Sequence, residues 1–146
     1  MKTIIALRGD ANTGKSTTIG MIYEELVDKG YNIIQERRTY RNKPSHDFIA
    51  ILKFNKIKIG ITTYGDVPKV ITAKIKVLVK AKCEVIICAC HKTERGYGDY
   101  NHSITQFKDY KHMFFGKTIN NVASTQNKTN QEQAKEIIEI VEILVK

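Results

Sequence analysis

A stretch near the amino terminus combines two glycines, a lysine and a serine at a spacing that suits a polyphosphate. It fits the pattern G-x-x-x-x-G-K-[ST] at every fixed position and comprises Gly9-Asp10-Ala11-Asn12-Thr13-Gly14-Lys15-Ser16. The glycines permit backbone angles and a close approach that a side chain would block. The amides of such a loop point inward as a nest for anions, and a helix that follows adds its partial positive charge. We therefore predict that this loop binds phosphate groups.

The lysine and the serine of this pattern have separate tasks in phosphate chemistry. Lys15 would bring a full positive charge to the β and γ phosphates. Ser16 would offer its hydroxyl to Mg²⁺, a hard ion that takes oxygen ligands and shares them with phosphates. The sequence thus predicts a nucleoside triphosphate bound together with magnesium.

On these residues the chain resembles the P-loop NTPase superfamily, closely over residues 1–30 and elsewhere only in the order of its elements. Both small ATPases and nucleotide-kinase-like members are compatible with that order. The resemblance implies a catalytic as well as a binding role for Lys15, a position near the α phosphate for Thr17, and ATP as the nucleotide. The nucleotide contacts that it implies are Gly9, Asn12, Thr13, Gly14, Lys15, Ser16 and Thr17.

Members of this superfamily usually carry a second acidic residue, which holds magnesium at the end of an apolar strand. In open α/β sheets ligands bind at the carboxyl ends of the strands, so the acid is expected there. Asp66 fits best as a catalytic residue and metal ligand, although it follows its strand by several residues and would also suit a turn and helix cap. Glu36, at the end of another predicted strand, is the alternative. Glu84 lies at the wrong end of its strand.

Arginines in two loops extend these predictions. Arg95 follows a central strand and precedes Gly96 and Gly98, which would permit movement, so we predict that it contacts phosphate in a closed state. An ordinary solvated arginine is the alternative. Arg37, Arg38 and Arg41 follow an earlier strand, where nucleotide kinases hold the phosphate of an acceptor. Exposed loop charge explains these three equally well.

Two other segments resemble nucleotide motifs only in part. Residues 116–118 spell G-K-T but lack the upstream glycine of a phosphate loop. Residues 127–130 spell N-K-T-N, in which Asn130 replaces the carboxylate that would accept two hydrogen bonds from guanine. We therefore assign no guanine specificity and keep ATP.

Composition and charge limit the remaining classes. The chain has 146 residues and a formal net charge of +9, which attracts polyanions and leaves nucleic acid as a second hypothesis. The three cysteines are odd in number and lack a C-x-x-C spacing, so we expect buried, reduced thiols rather than a metal cluster at residues 88–91. No apolar run reaches the length of a membrane span, and we expect a cytoplasmic protein without a membrane partner.

The apolar spacing predicts the elements that position these residues. Periods of two and of three to four residues alternate along the chain. We predict strands at 3–7, 31–35, 84–90 and 118–122, a hairpin of 48–54 with 57–63, and helices at 15–29, 69–82 and 100–115, followed by a carboxy-terminal helix opened by a capping box of Thr129 and Glu132.

This order predicts one α/β domain over residues 1–146, with a mostly parallel sheet flanked by helices in three layers and a hairpin that adds an antiparallel element. The predicted function is Mg²⁺-dependent ATP hydrolysis, with the loops of Asp66 and Arg95 acting as a switch. A kinase for a nucleoside or nucleotide and a nucleotide-dependent binding module with negligible turnover are the alternatives. The sequence does not define an oligomeric state.

Overall fold

The computed structural model of the protein describes residues 2–10, 13–38, 47–92, 100–119 and 122–146. Within these residues the chain forms six strands and four helices. In chain order they are β1 (Thr3–Arg8), α1 (Lys15–Asp28), β2 (Asn32–Arg38), β3 (Phe48–Phe54), β4 (Ile57–Thr62), α2 (Pro68–Lys80), β5 (Val85–Cys90), α3 (Tyr100–Thr105), β6 (Lys111–Gly116) and α4 (Ala123–Val145).

The strands form one mixed sheet in the order β2-β3-β4-β5-β1-β6. Four adjacent strands, β4, β5, β1 and β6, are parallel to one another. Strand β3 is antiparallel to both β2 and β4. All strands except β3 therefore end at the same side of the sheet, which we call the carboxyl edge. The predicted mostly parallel α/β sheet with an antiparallel hairpin is confirmed.

Helices cover both faces of this sheet. On one face α1 and α4 pack through residues such as Ile22 and Ile137, and on the other face α2 and α3 pack through residues such as Ile75 and Ile104. The central strands β1 and β5 are buried on both sides, which explains why their apolar runs are continuous. The loop between β1 and α1 therefore starts from a strand that is buried at the centre of the sheet.

The hairpin between β3 and β4 turns at Asn55 and Lys56, as predicted. Both residues have positive φ angles, 49° and 69°, which is the backbone of the two-residue turns that match the twist of a hairpin. Residues 48–54 and 57–62 consequently pair in register as neighbours, and β4 is left free to pair with β5 on its other side.

The carboxy-terminal helix is confirmed as α4, but the predictions between residues 100 and 122 are wrong. Residues 100–115 do not form one helix, because α3 ends at Thr105 and β6 occupies residues 111–116. The strand predicted at 118–122 is wrong, since residues 117–119 are not in a strand and 120–121 lie outside the described residues. The capping box is also wrong: α4 begins at Ala123, and the hydroxyl of Thr129 donates to the main-chain oxygen of Thr125 within the helix.

The close approach of β4 and α2 at Gly60 gives a stability prediction. A Cβ atom on Gly60 would lie 2.8 Å and 2.9 Å from the two methyl groups of Leu78, whose side chain is fully buried. We expect Gly60→Ala to lower the free energy of unfolding by about 1–3 kcal/mol through overpacking.

The matched control for this substitution is Gly20→Ala in α1, where nothing lies within 4 Å of the added Cβ. It should raise the free energy of unfolding by about 0.5–1 kcal/mol, because alanine loses less backbone entropy in a helix. Urea unfolding of the two variants measures both effects. Equal effects in the two variants would show that the contact with Leu78 does not constrain Gly60.

Candidate phosphate-binding site

The loop after β1 begins in contact with both neighbouring strands. The amide of Gly9 donates to the main-chain oxygen of Cys90 in β5 at 3.1 Å, and the amide of Lys117 donates to the main-chain oxygen of Arg8 at 2.7 Å. A Cβ on Gly9 would lie 2.9 Å from Cβ of Lys117 and 2.9 Å from Oγ1 of Thr13. Only glycine fits at position 9, because the backbone there passes between Lys117 and Thr13.

The loop closes on itself before α1 starts. The hydroxyl of Thr13 donates to the main-chain oxygen of Asp10 at 2.7 Å. Gly14 has a φ of 89°, in the left-handed region that favours glycine, and its oxygen accepts the amide of Thr18 at 2.9 Å. The predicted nucleotide contact Asn12 lies outside the described residues. The described part of the loop is thus a compact turn that leads directly into the helix.

The amino terminus of α1 has the features of an anion site. Gly14 is its N-cap and supplies no side-chain hydrogen bond, and the first turn carries no acidic residue. The first amides of a helix lack partners within the helix, so in α1 they face the loop together with the positive end of the helix dipole. Ser16 is half-buried and Thr17 is exposed in this first turn.

Lys15 lies inside the loop with only 7% of its surface exposed. Its ammonium donates to the main-chain oxygens of Gly9 at 2.6 Å and Asp10 at 3.2 Å. Burial lowers the pKa of Lys15, and the negative charge of Asp66 opposes that shift most strongly among its neighbours. The loop therefore holds a partly desolvated cation whose hydrogen bonds, within the described residues, go to main-chain oxygens.

Asp66 reaches the carboxyl edge because the chain crosses closely over β5. A Cβ on Gly65 would lie 2.9 Å from the backbone and the side chain of Ala89. This approach places Asp66 beside the end of β5, where its Oδ1 lies 2.9 Å from Nε2 of His91. The side chain of Asp66 is 76% exposed, so its carboxylate also remains accessible from solvent. The structure thus brings Asp66 into the electrostatic range of Lys15.

His91 and Tyr100 are part of this site, and the sequence analysis missed both. The ring of His91 stacks on the ring of Tyr100 with centroids 5.1 Å apart and planes 15° apart. The hydroxyl of Tyr100 donates to the main-chain oxygen of Asp66 at 2.7 Å. Asp66 is therefore held through both its side chain and its backbone. His91 directly follows the apolar run of β5, and this position at the carboxyl edge was the signal that could have identified it.

Glu36, the alternative acid, does not lie near the loop. It is in β2 at one edge of the sheet, separated from β1 by β3, β4 and β5, which corresponds to about 19 Å at the usual strand spacing. Its carboxylate forms an ion pair with Arg38. Of the two acids that the sequence proposed, only Asp66 is brought to Lys15.

The two described arginines of the suggested acceptor site, Arg37 and Arg38, lie on opposite faces of β2. Arg38 lies over the ring of Phe48, with its guanidinium carbon 4.7 Å from the ring centre, on the face that α1 covers. Arg37 lies on the opposite face of β2, beside Ile49. Arg41 and Arg95 lie outside the described residues, so their predicted roles stay predictions.

The two partial motifs have structural roles around the loop. Lys117 directly follows β6 and is buried against Gly9, and its ammonium donates to the main-chain oxygen of Thr118 at 2.5 Å. Asn130 is buried in α4 with its amide group beside Gly14, and its Oδ1 accepts a hydrogen bond from Gln126 at 2.7 Å. Both residues thus pack against the loop between β1 and α1.

The cysteines are buried, as predicted. Burial raises the pKa of Cys83 to about 12 and that of Cys90 to about 11, and it raises the pKa of Cys88 as well. The three thiols are therefore protonated near neutral pH and act as small apolar core residues.

Comparisons of this chain with protein-family models, with curated proteins and with solved structures found no match. None of the helices in the described residues combines the length and the apolar character that a membrane span requires. The candidate site therefore has to be interpreted from its own geometry.

Proposed function

We propose that the protein is a P-loop NTPase that binds ATP with Mg²⁺ through the loop before α1 and hydrolyses the γ phosphate. The observation that carries this proposal is the buried ammonium of Lys15, which lies within a compact loop at a helix terminus that has no side-chain cap. A desolvated cation and the positive end of a helix together favour a multiply charged anion. This combination is more specific than the sequence pattern alone.

The side chains near Lys15 fit a magnesium ion. Ser16 would hold it through a hydroxyl, and Asp66 through its exposed carboxylate or a water between them; these are the hard oxygen donors that Mg²⁺ prefers. When bound, the ion would neutralise charge on the β and γ phosphates. The three cysteines cannot compete for this role, because their thiols are buried and protonated.

Other side chains of the site would bind the phosphates and position Asp66. Lys15 exchanges its bonds to the oxygens of Gly9 and Asp10 for phosphate oxygens, which recovers the energy lost by its desolvation. His91 and Tyr100 fix the position of Asp66, so little reorganisation is needed when the site is filled. Arg95 is proposed to contact the phosphates from its loop in a closed state, and replacing it with alanine tests that contact.

Calorimetric titration with ATP and Mg²⁺, followed by measurement of ADP release, tests the proposed function. We expect saturable one-site binding and ADP release that needs no second substrate. ADP release that depends on an added nucleoside or monophosphate would replace hydrolysis by a kinase activity. Binding without any ADP release would favour a nucleotide-dependent binding module. The absence of binding at millimolar nucleotide would overturn the proposal.

A further inference from the structure

The two faces of the molecule carry charges of opposite sign. Helix α2 contains four lysines and no acidic residue. Three of these lysines, Lys69, Lys76 and Lys80, are exposed, and Ala73 completes their spacing of four, three and four residues along the outer side of the helix. Two valines next to this stripe, Val70 and Val77, are exposed as well. The outer side of α2 is therefore a basic surface with apolar side chains between the lysines.

The opposite face, formed by α1 and α4, is acidic. These two helices carry seven carboxylates, Glu24, Glu25, Asp28, Glu132, Glu136, Glu139 and Glu142.

Helix α4 has a stripe that matches that of α2 in spacing. Glu132, Glu136, Glu139 and Ile143 follow one another at intervals of four, three and four residues, and all four are exposed. The side chain of Ile143 is 74% exposed, the largest exposed fraction among the large apolar residues of the described chain. The stripe on α4 thus presents three carboxylates followed by an apolar side chain. The outer side of α2 presents lysines with valines beside them.

A groove beside α2 provides a receptor for an apolar side chain. It has a free volume of about 100 Å³ and lies between α2 and the outer strands β2 and β3. Ile49 and Ile51 form its floor, Val77 lies on its wall, and Arg37 and Lys74 supply positive charge. None of the described residues that line it carries a carboxylate. The groove is therefore suited to an apolar group accompanied by negative charge.

We propose that the acidic stripe of α4 in one copy docks on the basic surface and groove of α2 in a second copy. The charges are complementary in sign, and the exposed Ile143 has a matching apolar groove. The two surfaces lie on opposite faces of the same sheet, so each copy offers one of each. The contact is then heterologous, and it builds a chain or a ring of subunits rather than a closed two-fold dimer.

Sedimentation velocity of the full chain without nucleotide tests this proposal independently of any phosphate chemistry. We expect the wild type to form species larger than the 16.7 kDa monomer at low salt, in proportion to its concentration, and to return to the monomer at high salt. The variant Lys69→Glu, Lys76→Glu, Lys80→Glu should remain a monomer under all these conditions. Ile143→Ser should weaken assembly at low salt with an unchanged thermal unfolding temperature, because this side chain is exposed in the monomer.

The matched control changes net charge by the same amount on the other face. Lys128→Glu, Lys135→Glu, Lys146→Glu should preserve or strengthen assembly, since it makes the acidic face more acidic. A loss of assembly in this control equal to that in the α2 variant would show that only net charge matters and would overturn the proposal. A wild type that stays monomeric at low salt would also overturn it. Salt-sensitive retention of such a monomer on DNA or RNA would assign the basic surface to nucleic acid instead.

Discussion

Lys15→Met is expected to abolish nucleotide binding while it makes the nucleotide-free protein more stable. The ammonium is buried among loop oxygens, and burial lowers its pKa, so the fold disfavours the charged form that exists at neutral pH. Methionine keeps the apolar stem and removes the buried charge. Affinity for ATP should fall about a hundredfold or more, which corresponds to roughly 3 kcal/mol for hydrogen bonds to a charged group. Calorimetry and thermal unfolding measure the two effects.

The pH dependence of this stabilisation has a defined sign. Because the pKa of Lys15 is lower in the folded than in the unfolded protein, the cost of its charge is largest below the folded pKa. As the pH rises through that value the folded protein loses the charge, so the wild type and the variant should converge in stability. A gap that widens with rising pH would contradict the assignment of the cost to the buried charge.

Lys117→Met is the matched control for this substitution. Lys117 has the same exposed fraction of 7%, its pKa is also lowered by burial, and it also contacts Gly9. Its ammonium, however, donates to the oxygen of Thr118 outside the loop. We expect nucleotide affinity to be unchanged in Lys117→Met. Equal loss in both variants would mean that any buried charge near Gly9 affects binding, and the specific role of Lys15 would fail.

Stability and binding are expected to change in opposite directions at Lys15, because the proposed site buries a positive charge whose cost a bound anion would offset. The proposed phosphate contacts could be predicted from fixed spacings, since they lie within a few consecutive residues. The contacts of Lys117, directly after β6, and of Asn130 in α4 come from far along the chain, and only the packing of the sheet brings them to the loop.

The fold was predictable where one pattern dominated. The continuous apolar run of β5 and the stripe of α1 each had one interpretation, and the structure matches both to within a residue. The predictions for residues 100–122 failed because α3 and β6 are short and β6 is half-buried. In β6 both faces are only partly covered, so Met113 and Phe114 do not alternate with polar residues as a one-sided strand would require. Pairing with β1, rather than local propensity, makes this segment a strand.

The interpretation of Thr129 and Glu132 as a helix start failed for a related reason. The chain upstream, with Ser124 and Thr125, has weak helix propensity, so the local pattern placed the helix start later. In the structure α4 extends back to Ala123, and Asn130 becomes an interior residue of the helix that lies beside Gly14 of the loop. Tertiary contact with the loop outweighs the local capping signal.

His91 shows the limit of motif reasoning in the site itself. No spacing rule links residues 66, 91 and 100, because they come from three separate segments that meet only at the carboxyl edge. The topology rule predicted the edge correctly, and Asp66 was found through it. The sequence does not identify His91 as the partner that orients Asp66, since a histidine after a buried strand has many ordinary roles.

Asp66→Asn is expected to lower ATP turnover about a hundredfold, the usual effect of removing one preorganised charged group from a phosphoryl-transfer site. Asparagine keeps the size and one oxygen near His91, so the packing of His91 on Tyr100 should survive and thermal unfolding should change little. Steady-state ADP release at saturating Mg²⁺ and ATP measures turnover, and a magnesium titration measures whether the half-saturating metal concentration rises.

The control for Asp66 is Glu36→Gln, which makes the same carboxylate-to-amide change in β2, at the far edge of the sheet. Turnover should be unchanged there, because Glu36 is paired with Arg38 and separated from the loop by three strands. If Asp66→Asn retained wild-type turnover and magnesium dependence, Asp66 would act only as a turn residue that precedes α2. If turnover fell in Glu36→Gln instead, Glu36 would be the second acidic residue despite its distance from the loop across the sheet.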